Sequence, residues 1–96
     1  MARVEIARTA VEDLDALIRT HSLPADTKQR VVRTLRPLEQ FPHLGAALQG
    51  RWTGFRFQLG PWRWLIVVYA YLEEDDRVVV VTIVDGRTSR SPTAAD

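Results

Sequence analysis

The sequence predicts an α+β fold, in which an antiparallel sheet packs against an N-terminal helical hairpin in the order β-α-α-β-β-β. In the first half of the chain apolar residues recur at helical spacing, whereas in the second half they alternate or run continuously as in strands. A Gly-Pro pair and an acidic loop separate the later stretches, which favours a meander of consecutive strands. The 96 residues suffice for one domain, which we expect at 1–88, followed by a flexible tail at 89–96.

The first two elements follow from the opening 21 residues. Val4 and Ile6 alternate with polar neighbours, which predicts a short strand over 3–7. The following Thr9-Ala10-Val11-Glu12 has the pattern of a capping box, so we expect Thr9 and Glu12 to cap a helix that ends near His21.

A second helix is predicted after Leu23-Pro24, with Asp26 and Gln29 capping its start. Its buried stripe would be Val31, Leu35 and Leu38. Pro37 lies inside this pattern and removes a backbone donor, so we expect a kink or an early end there.

Three strands are predicted at 55–59, 62–72 and 78–84. The last two are apolar on both faces from Leu65 onward, as in strands that are covered on both sides. The helical hairpin covers only one face and the chain supplies nothing evident for the other, so we expect a partner helix or a second copy there.

Composition excludes several classes of protein. There is no cysteine, which excludes disulfide scaffolds and cysteine nucleophiles. The two histidines, His21 and His43, have no partner at the sequence spacing of a metal site or a catalytic triad, so we predict no chemistry, metal or cofactor for them. No apolar run is long enough to span a membrane and the first 20 residues carry charges throughout, which predicts a cytoplasmic protein.

The positive charge is carried almost entirely by arginine. Twelve of the 13 basic residues are Arg, and no acid occurs between Glu39 and Glu73. Arg51, Arg56 and Arg63 lie in this stretch among eight aromatic residues. A basic, aromatic segment is compatible with nucleic acid or another anionic partner. The alternative is a sheet with an aromatic core and solvated arginines.

The order and spacing of several motifs resemble the RelE/ParE superfamily of toxins from type II toxin–antitoxin modules. The resemblance spans residues 4 to about 88. Its components are Thr9-Ala10 with Asp13-Leu14, Leu38 with Phe41-Pro42 and Gly45, Leu48-Gln49-Gly50, Phe55-Arg56 with Gly60 and Trp62-Arg63, and Val79 to Arg87.

This resemblance implies a toxin that is neutralised by a cognate antitoxin, in a hetero-oligomer and without a cofactor. The superfamily contains ribosome-dependent, metal-free endoribonucleases and inhibitors of DNA gyrase. For the first class it implies catalytic roles for Arg56, Arg63 and Arg87, clustered at one concavity as phosphate clamps, with Arg51 and Arg90 as RNA-binding residues. We expect messenger RNA and the ribosome as targets. The alternatives are gyrase inhibition and a degenerate homologue that only binds its antitoxin.

The chain departs from the nuclease pattern in its proton-transfer residues. Gly54 stands where the classical nuclease has a second lysine, and Thr93 stands near the position of its C-terminal tyrosine. No Tyr or His follows Tyr71. Arginine is a poor general base because its guanidinium stays protonated. The sequence therefore retains cations for cleavage but offers no evident acid or base.

Overall fold

The computed structural model describes residues 1–88 and Pro92. Five strands form one sheet in the order β1-β5-β4-β3-β2, in which β1 pairs parallel to β5 and all other pairs are antiparallel. The elements are β1 (Arg3–Ile6), α1 (Arg8–Thr20), α2 (Thr27–Leu35), β2 (Ala46–Ala47), β3 (Arg56–Leu59), β4 (Leu65–Leu72) and β5 (Arg77–Asp85). The predicted α+β fold is confirmed, with the two-residue β2 as an addition.

The two helices cover one face of the sheet and form the main core with it. The predicted stripe of α2 is buried: Val31 and Leu38 are fully buried, and Leu35 is 2% exposed. As Pro37 predicts, the α-helix ends at Leu35 and continues as a 3₁₀ turn, Arg36–Glu39. From the sheet this core receives Leu65, Val67, Tyr69, Val78, Val80 and Ile83.

The opposite face of the sheet is covered by the chain itself. Ile66 and Val68 of β4 are buried there together with Leu48, under Trp52 and Phe55 and beside Phe57 of β3. The prediction that the chain supplies nothing for this face was wrong. The segment between β2 and β3 folds back over the sheet because Gly50 and Gly54 adopt positive φ angles of 66° and 96°.

Neither predicted helix cap forms. The first helix begins two residues earlier than the capping box requires, and the Thr9 hydroxyl donates to the carbonyl of Val81 at 2.9 Å. One turn later, the Asp13 carboxylate accepts from the Thr82 hydroxyl and from the Ile83 amide. The strand has a bulge at this point, since Val81 has no partner in β4. Thr9 and Asp13 of α1 thus form hydrogen bonds with the bulge in β5 instead of capping the helix.

At the start of α2, Asp26 occupies the cap position but its carboxylate accepts from Arg30 Nε at 3.0 Å instead of bonding a helix amide. The central strand is also shorter than predicted, because β4 begins at Leu65 and residues 62–64 lie in the turn after β3. That turn holds Trp62 and Trp64 at the edge of the helix face, where both pack against the main core.

Candidate functional site

The three arginines predicted to act together lie at two ends of the sheet. Arg63 is in the turn before β4, and Arg87 follows β5, whose last residue Asp85 pairs with Leu65 at the start of β4. Arg56 pairs with Tyr69, near the other end of β4. Four residues of β4 separate Leu65 from Tyr69, which is roughly 13 Å at about 3.3 Å per residue. The structure therefore brings Arg63 and Arg87 to the same end and leaves Arg56 apart.

Arg87 belongs to a cluster built around a carboxylate, which we call the Asp85 cluster (His21, Trp64, Asp85 and Arg87). Arg87 donates from Nε and Nη2 to the two carboxylate oxygens of Asp85, at 3.0 and 2.9 Å. His21 Nε2 lies 3.1 Å from Asp85 Oδ2. The Asp85 side chain is only 11% exposed. These bonds, those of Arg87 above all, hold the pKa of Asp85 far below its usual range.

The aromatic ring of Trp64 supports both partners of Asp85. The His21 imidazole stacks on the indole with centroids 4.9 Å apart and planes at 14°, and the Arg87 guanidinium lies 4.9 Å from the ring centroid. Trp62 extends the stack, 6.0 Å from Trp64 and nearly parallel to it. The cluster thus joins the end of α1, the turn before β4 and the end of β5.

Sequence spacing missed this cluster because its members meet only through the fold. His21 and Asp85 are 64 residues apart. His21 follows the last residue of α1, and the packing of α1 against β5 brings it to the end of that strand. The sequence did contain one signal. Asp85 and Arg87 stand on either side of Gly86, where the last strand ends, and an acid at this spacing can hold an arginine in place.

Arg63 is a second arginine at this end of the sheet. Its side chain is exposed, and among the residues that the structure describes it has no hydrogen bond or ion pair. The carbonyl of the neighbouring Trp64 accepts from the Gly86 amide at 2.6 Å, which ties its turn to the start of the Arg87 segment. Arg63 and Arg87 therefore lie in neighbouring segments of the fold, and of the two it is Arg87 that is held by Asp85.

Arg56 has a different environment, which we call the loop clamp (Arg56 and Tyr69 with residues 42–45). Arg56 Nη1 donates to the carbonyls of His43 and Gly45, at 3.2 and 2.8 Å. The buried Tyr69 hydroxyl donates to the Pro42 carbonyl and accepts from the Gly45 amide, each at 2.9 Å. Burial raises the pKa of Tyr69. A side chain at Gly45 would lie 2.5 Å from a backbone oxygen, so this turn requires glycine.

Two features beside the loop clamp are exposed. Phe41 and Leu44 are 61% and 56% exposed and project from the clamped turn. His43 Nε2 lies 3.5 Å from Glu73 Oε1, with both side chains more than half exposed. The His43 ring meets Tyr71 edge-on at 5.1 Å. This end of the sheet therefore presents apolar and weakly paired groups on a braced turn.

The two predicted RNA-binding residues are not part of either cluster. Arg51 is exposed in the segment that covers the opposite face of the sheet. Arg90 lies outside the described residues, as do Thr93 and the rest of the predicted tail except Pro92. In the part of the chain that the structure describes, no helix is long and apolar enough to cross a membrane.

Comparison with known proteins gives a family for the chain. Residues 4–90 match the family described as the ParE toxin of the type II toxin–antitoxin system parDE. No curated protein matches the sequence.

Several solved structures share the fold. The chromosomal ParDE system of P. aeruginosa matches at a TM-score of 0.67 and 19% identity, over 88% of this chain and 96% of that one. The toxin–antitoxin complex RelBE2 of Mycobacterium tuberculosis matches at 0.67 and 22%, with the same coverage. The intact RelBE complex of E. coli matches at 0.65 and 11%, over 92% of this chain and all of that one.

Proposed function

The chain belongs to the ParE toxin family of type II toxin–antitoxin systems, and we propose that it inhibits growth by metal-free cleavage of messenger RNA on the ribosome. The observation that carries this proposal is the end of the sheet where Arg63 lies in the same turn as Trp64 of the Asp85 cluster. There an exposed arginine, a fixed arginine and an imidazole that is bonded to a carboxylate lie beside two tryptophans.

Cleavage of RNA without a metal requires cations for the phosphorane and a group that accepts the 2′-hydroxyl proton. Arg87 is held in place by Asp85 and Trp64, so little conformational entropy is lost when it meets a phosphate. Its Nη1 carries donors that Asp85 does not use. Arg63, which is exposed in the turn before β4, adds a second cation.

Arg56 contributes differently under this proposal. Its Nη1 is already bonded to two loop carbonyls, and Arg56 lies four strand residues, roughly 13 Å at about 3.3 Å per residue, from the end of β4 that holds Arg63 and Arg87. We assign it to bracing the turn at residues 42–45. The catalytic arginines are then Arg63 and Arg87, while Arg51 and Arg90 are proposed as additional contacts to RNA.

The proposed partners are a cognate antitoxin, the ribosome and messenger RNA, and the proposed location is the cytoplasm. Toxin–antitoxin complexes among the structures that share the fold support an antitoxin partner and a hetero-oligomer. In such a complex the antitoxin neutralises the toxin until it is released.

The proposal is tested by expressing the wild type and Arg63→Ala and mapping ribosome-bound transcripts by primer extension. We expect wild-type expression to arrest growth and produce new transcript ends, and Arg63→Ala to reduce cleavage roughly a hundredfold or more, as is typical for loss of one preorganised donor. Arg8→Ala is the matched control, because Arg8 is exposed at the opposite end of α1. Growth arrest with intact transcripts would overturn the proposal.

A second candidate function, inhibition of DNA gyrase, is favoured by the exposed Phe41 and Leu44. Apolar side chains on a rigid turn are typical of protein–protein contacts, and the loop clamp makes this turn rigid. Gyrase inhibition predicts double-strand breaks and an SOS response with uncut transcripts. In that case Phe41→Ser would abolish growth arrest, whereas Arg63→Ala would not.

A further inference from the structure

We propose that His21 is the general base of the cleavage reaction and that Asp85 and Trp64 position it. This inference rests on the proposed function and supplies the proton-transfer group that the sequence alone does not reveal. Its basis is the Asp85 cluster, in which each side of the imidazole has a defined partner.

The hydrogen bonds of His21 define which nitrogen is basic. Asp85 is ionised, since Arg87 bonds both of its oxygens, and an ionised carboxylate only accepts. His21 Nε2 must therefore carry the proton that points to Asp85 Oδ2 at 3.1 Å. In the neutral ring this leaves the lone pair on Nδ1. A carboxylate that fixes the tautomer of a catalytic imidazole in this way is the arrangement of the hydrolase triads.

The basic nitrogen is accessible to a substrate hydroxyl. Nδ1 lies 2.9 Å from the Thr20 hydroxyl, which can donate to it. The same hydroxyl is 3.5 Å from the Leu17 carbonyl, so it has a second acceptor when it rotates away. The His21 side chain is 28% exposed at the end of α1. A 2′-hydroxyl can therefore replace Thr20 as the donor to Nδ1 without disturbing the bond to Asp85.

The charges around His21 fit a base that becomes an imidazolium. Asp85 faces it from β5, and Arg87 donates to the same carboxylate oxygen, Oδ2. The turn before β4 contributes the neutral Trp64 ring against the imidazole and, next to it, the cationic Arg63. The Asp85 carboxylate is therefore shared between the imidazole and a guanidinium, and its bond to Nε2 leaves Nδ1 as the nitrogen that can accept a proton.

The step is a transesterification and balances without an oxidant or another reactant. Nδ1 takes the 2′-hydroxyl proton while the 2′ oxygen forms a bond to phosphorus. The bond from phosphorus to the 5′ oxygen breaks, and that oxygen leaves with the electron pair and takes a proton from water. The imidazolium then returns its proton to the solvent. The products are a 2′,3′-cyclic phosphate and a 5′-hydroxyl end.

The chain supplies its own control in His43, the second of its two histidines. His43 is 56% exposed, its contact with Glu73 is 3.5 Å long, and it belongs to the end of the sheet that holds Arg56. Its ring contacts Tyr71, which is six strand residues, roughly 20 Å at about 3.3 Å per residue, from Leu65 at the end of β4 that holds Arg63 and Arg87. A histidine change there tests for general effects of losing an imidazole.

The decisive variant is His21→Gln, because the amide nitrogen of glutamine takes the place of Nε2 and can still donate to Asp85, whereas no basic nitrogen remains. Purified wild-type toxin, His21→Gln and His43→Gln are compared by the single-turnover rate of cleavage of a ribosome-bound transcript between pH 5 and 9. We expect His21→Gln to be slower by roughly 10²- to 10⁴-fold, as is typical for loss of a general base. His43→Gln should remain within about threefold of the wild type.

Two further readouts separate catalysis from support of the fold. The wild-type rate should fall toward acid pH as the imidazole is protonated, and this acid limb should be absent from the residual rate of His21→Gln. Added imidazole should restore part of the activity of His21→Ala, in which the ring site against Trp64 is vacant. If His21→Gln does not fold or does not bind antitoxin, the role of His21 is decided by whether added imidazole restores cleavage by His21→Ala.

The outcomes distinguish the two proposals. The role of His21 is overturned if His21→Gln cleaves at the wild-type rate, or if the residual rate of the variant still falls toward acid pH. Either result leaves the proposed function intact. A His21→Ala variant that stays inactive in imidazole also contradicts the role. Growth arrest by a wild-type protein that leaves transcripts uncut overturns the proposed function, and the role of His21 falls with it.

Discussion

The two ends of the central strand show how differently the same side chain can be used. Both Arg56 and Arg87 lie beside an aromatic residue: Arg56 pairs with Tyr69 of β4, and Arg87 lies over Trp64 in the turn before β4. Arg56 donates to two backbone carbonyls, which are neutral and belong to one turn of the chain. Arg87 donates to a carboxylate that also binds an imidazole. The first arrangement braces a loop, whereas the second couples three groups that can exchange charge and protons.

The difference shows that the chemistry of an arginine depends on its acceptor. A carbonyl acceptor does not neutralise the guanidinium charge. The bond holds the side chain against one segment of backbone, and it stabilises that segment in return. A carboxylate acceptor neutralises part of that charge and makes the site depend on pH. The arginines could be found in the sequence. Asp85, two residues before Arg87, left a local signal as an acceptor, whereas the Gly45 carbonyl is identified as an acceptor of Arg56 only by the fold.

Sequence patterns predicted the elements that depend on periodicity. The stripe of Val31, Leu35 and Leu38 is buried as expected, and Pro37 ends the second helix. Patterns failed where a polar side chain had a distant alternative. Thr9 fits a capping box, yet it bonds to Val81, which is 72 residues away. The local motif could not show that a strand bulge would compete for the same hydroxyl.

The candidate site was predictable only in part for the same reason. Arg63 and Arg87 followed from the resemblance, and the structure places them at one end of the sheet. His21 seemed to lack a partner, because Asp85 reaches it only through the packing of α1 on β5. The cover of the opposite face was missed because the segment over it follows no helix or strand period. It turns instead at two glycines with positive φ.

Of the two arginines compared, Arg87 should have the larger effect on activity when it is replaced. Arg87→Ala removes a positioned cation at the phosphate and one of the two partners of Asp85, so cleavage should fall roughly a hundred- to a thousandfold. Asp85 keeps His21 as a donor, so antitoxin binding should persist. The measurement is cleavage of ribosome-bound transcripts beside an antitoxin pull-down. A variant that cleaves at the wild-type rate would show that Arg87 is a structural residue like Arg56.

Replacing Arg56 should instead affect stability. Arg56→Ala removes the donor of two charge-assisted bonds to loop carbonyls, which we expect to lower the free energy of unfolding by about 1.5–3 kcal/mol. The exposed Arg51→Ala serves as the control and should change it by less than about 0.5 kcal/mol. Urea unfolding gives both values. Cleavage by the folded Arg56→Ala protein should stay within about threefold of the wild type, and a larger loss would return Arg56 to the catalytic set.

The smallest effect is expected in the pH dependence of stability, where the two ends should again differ. Bonds from Arg87 and His21 lower the pKa of Asp85 in the folded protein, whereas an unfolded aspartate titrates near pH 4. The unfolded state therefore binds the proton first as the pH falls. Asp85 contributes its full stabilisation above about pH 5, and this contribution is lost progressively below about pH 4.

This difference can be measured by urea unfolding of the wild type, Asp85→Asn and Arg56→Ala from pH 7 to pH 3. The gap in unfolding free energy between the wild type and Asp85→Asn should be constant down to about pH 5 and should narrow below it, because asparagine does not titrate. The gap for Arg56→Ala should stay constant over the whole range, since both acceptors of Arg56 are backbone carbonyls. If both differences in unfolding free energy stayed constant from pH 7 to pH 3, Asp85 would not be selectively stabilised in its charged form. The carboxylate could then not hold the tautomer of His21, and the distinction between the two ends would be lost.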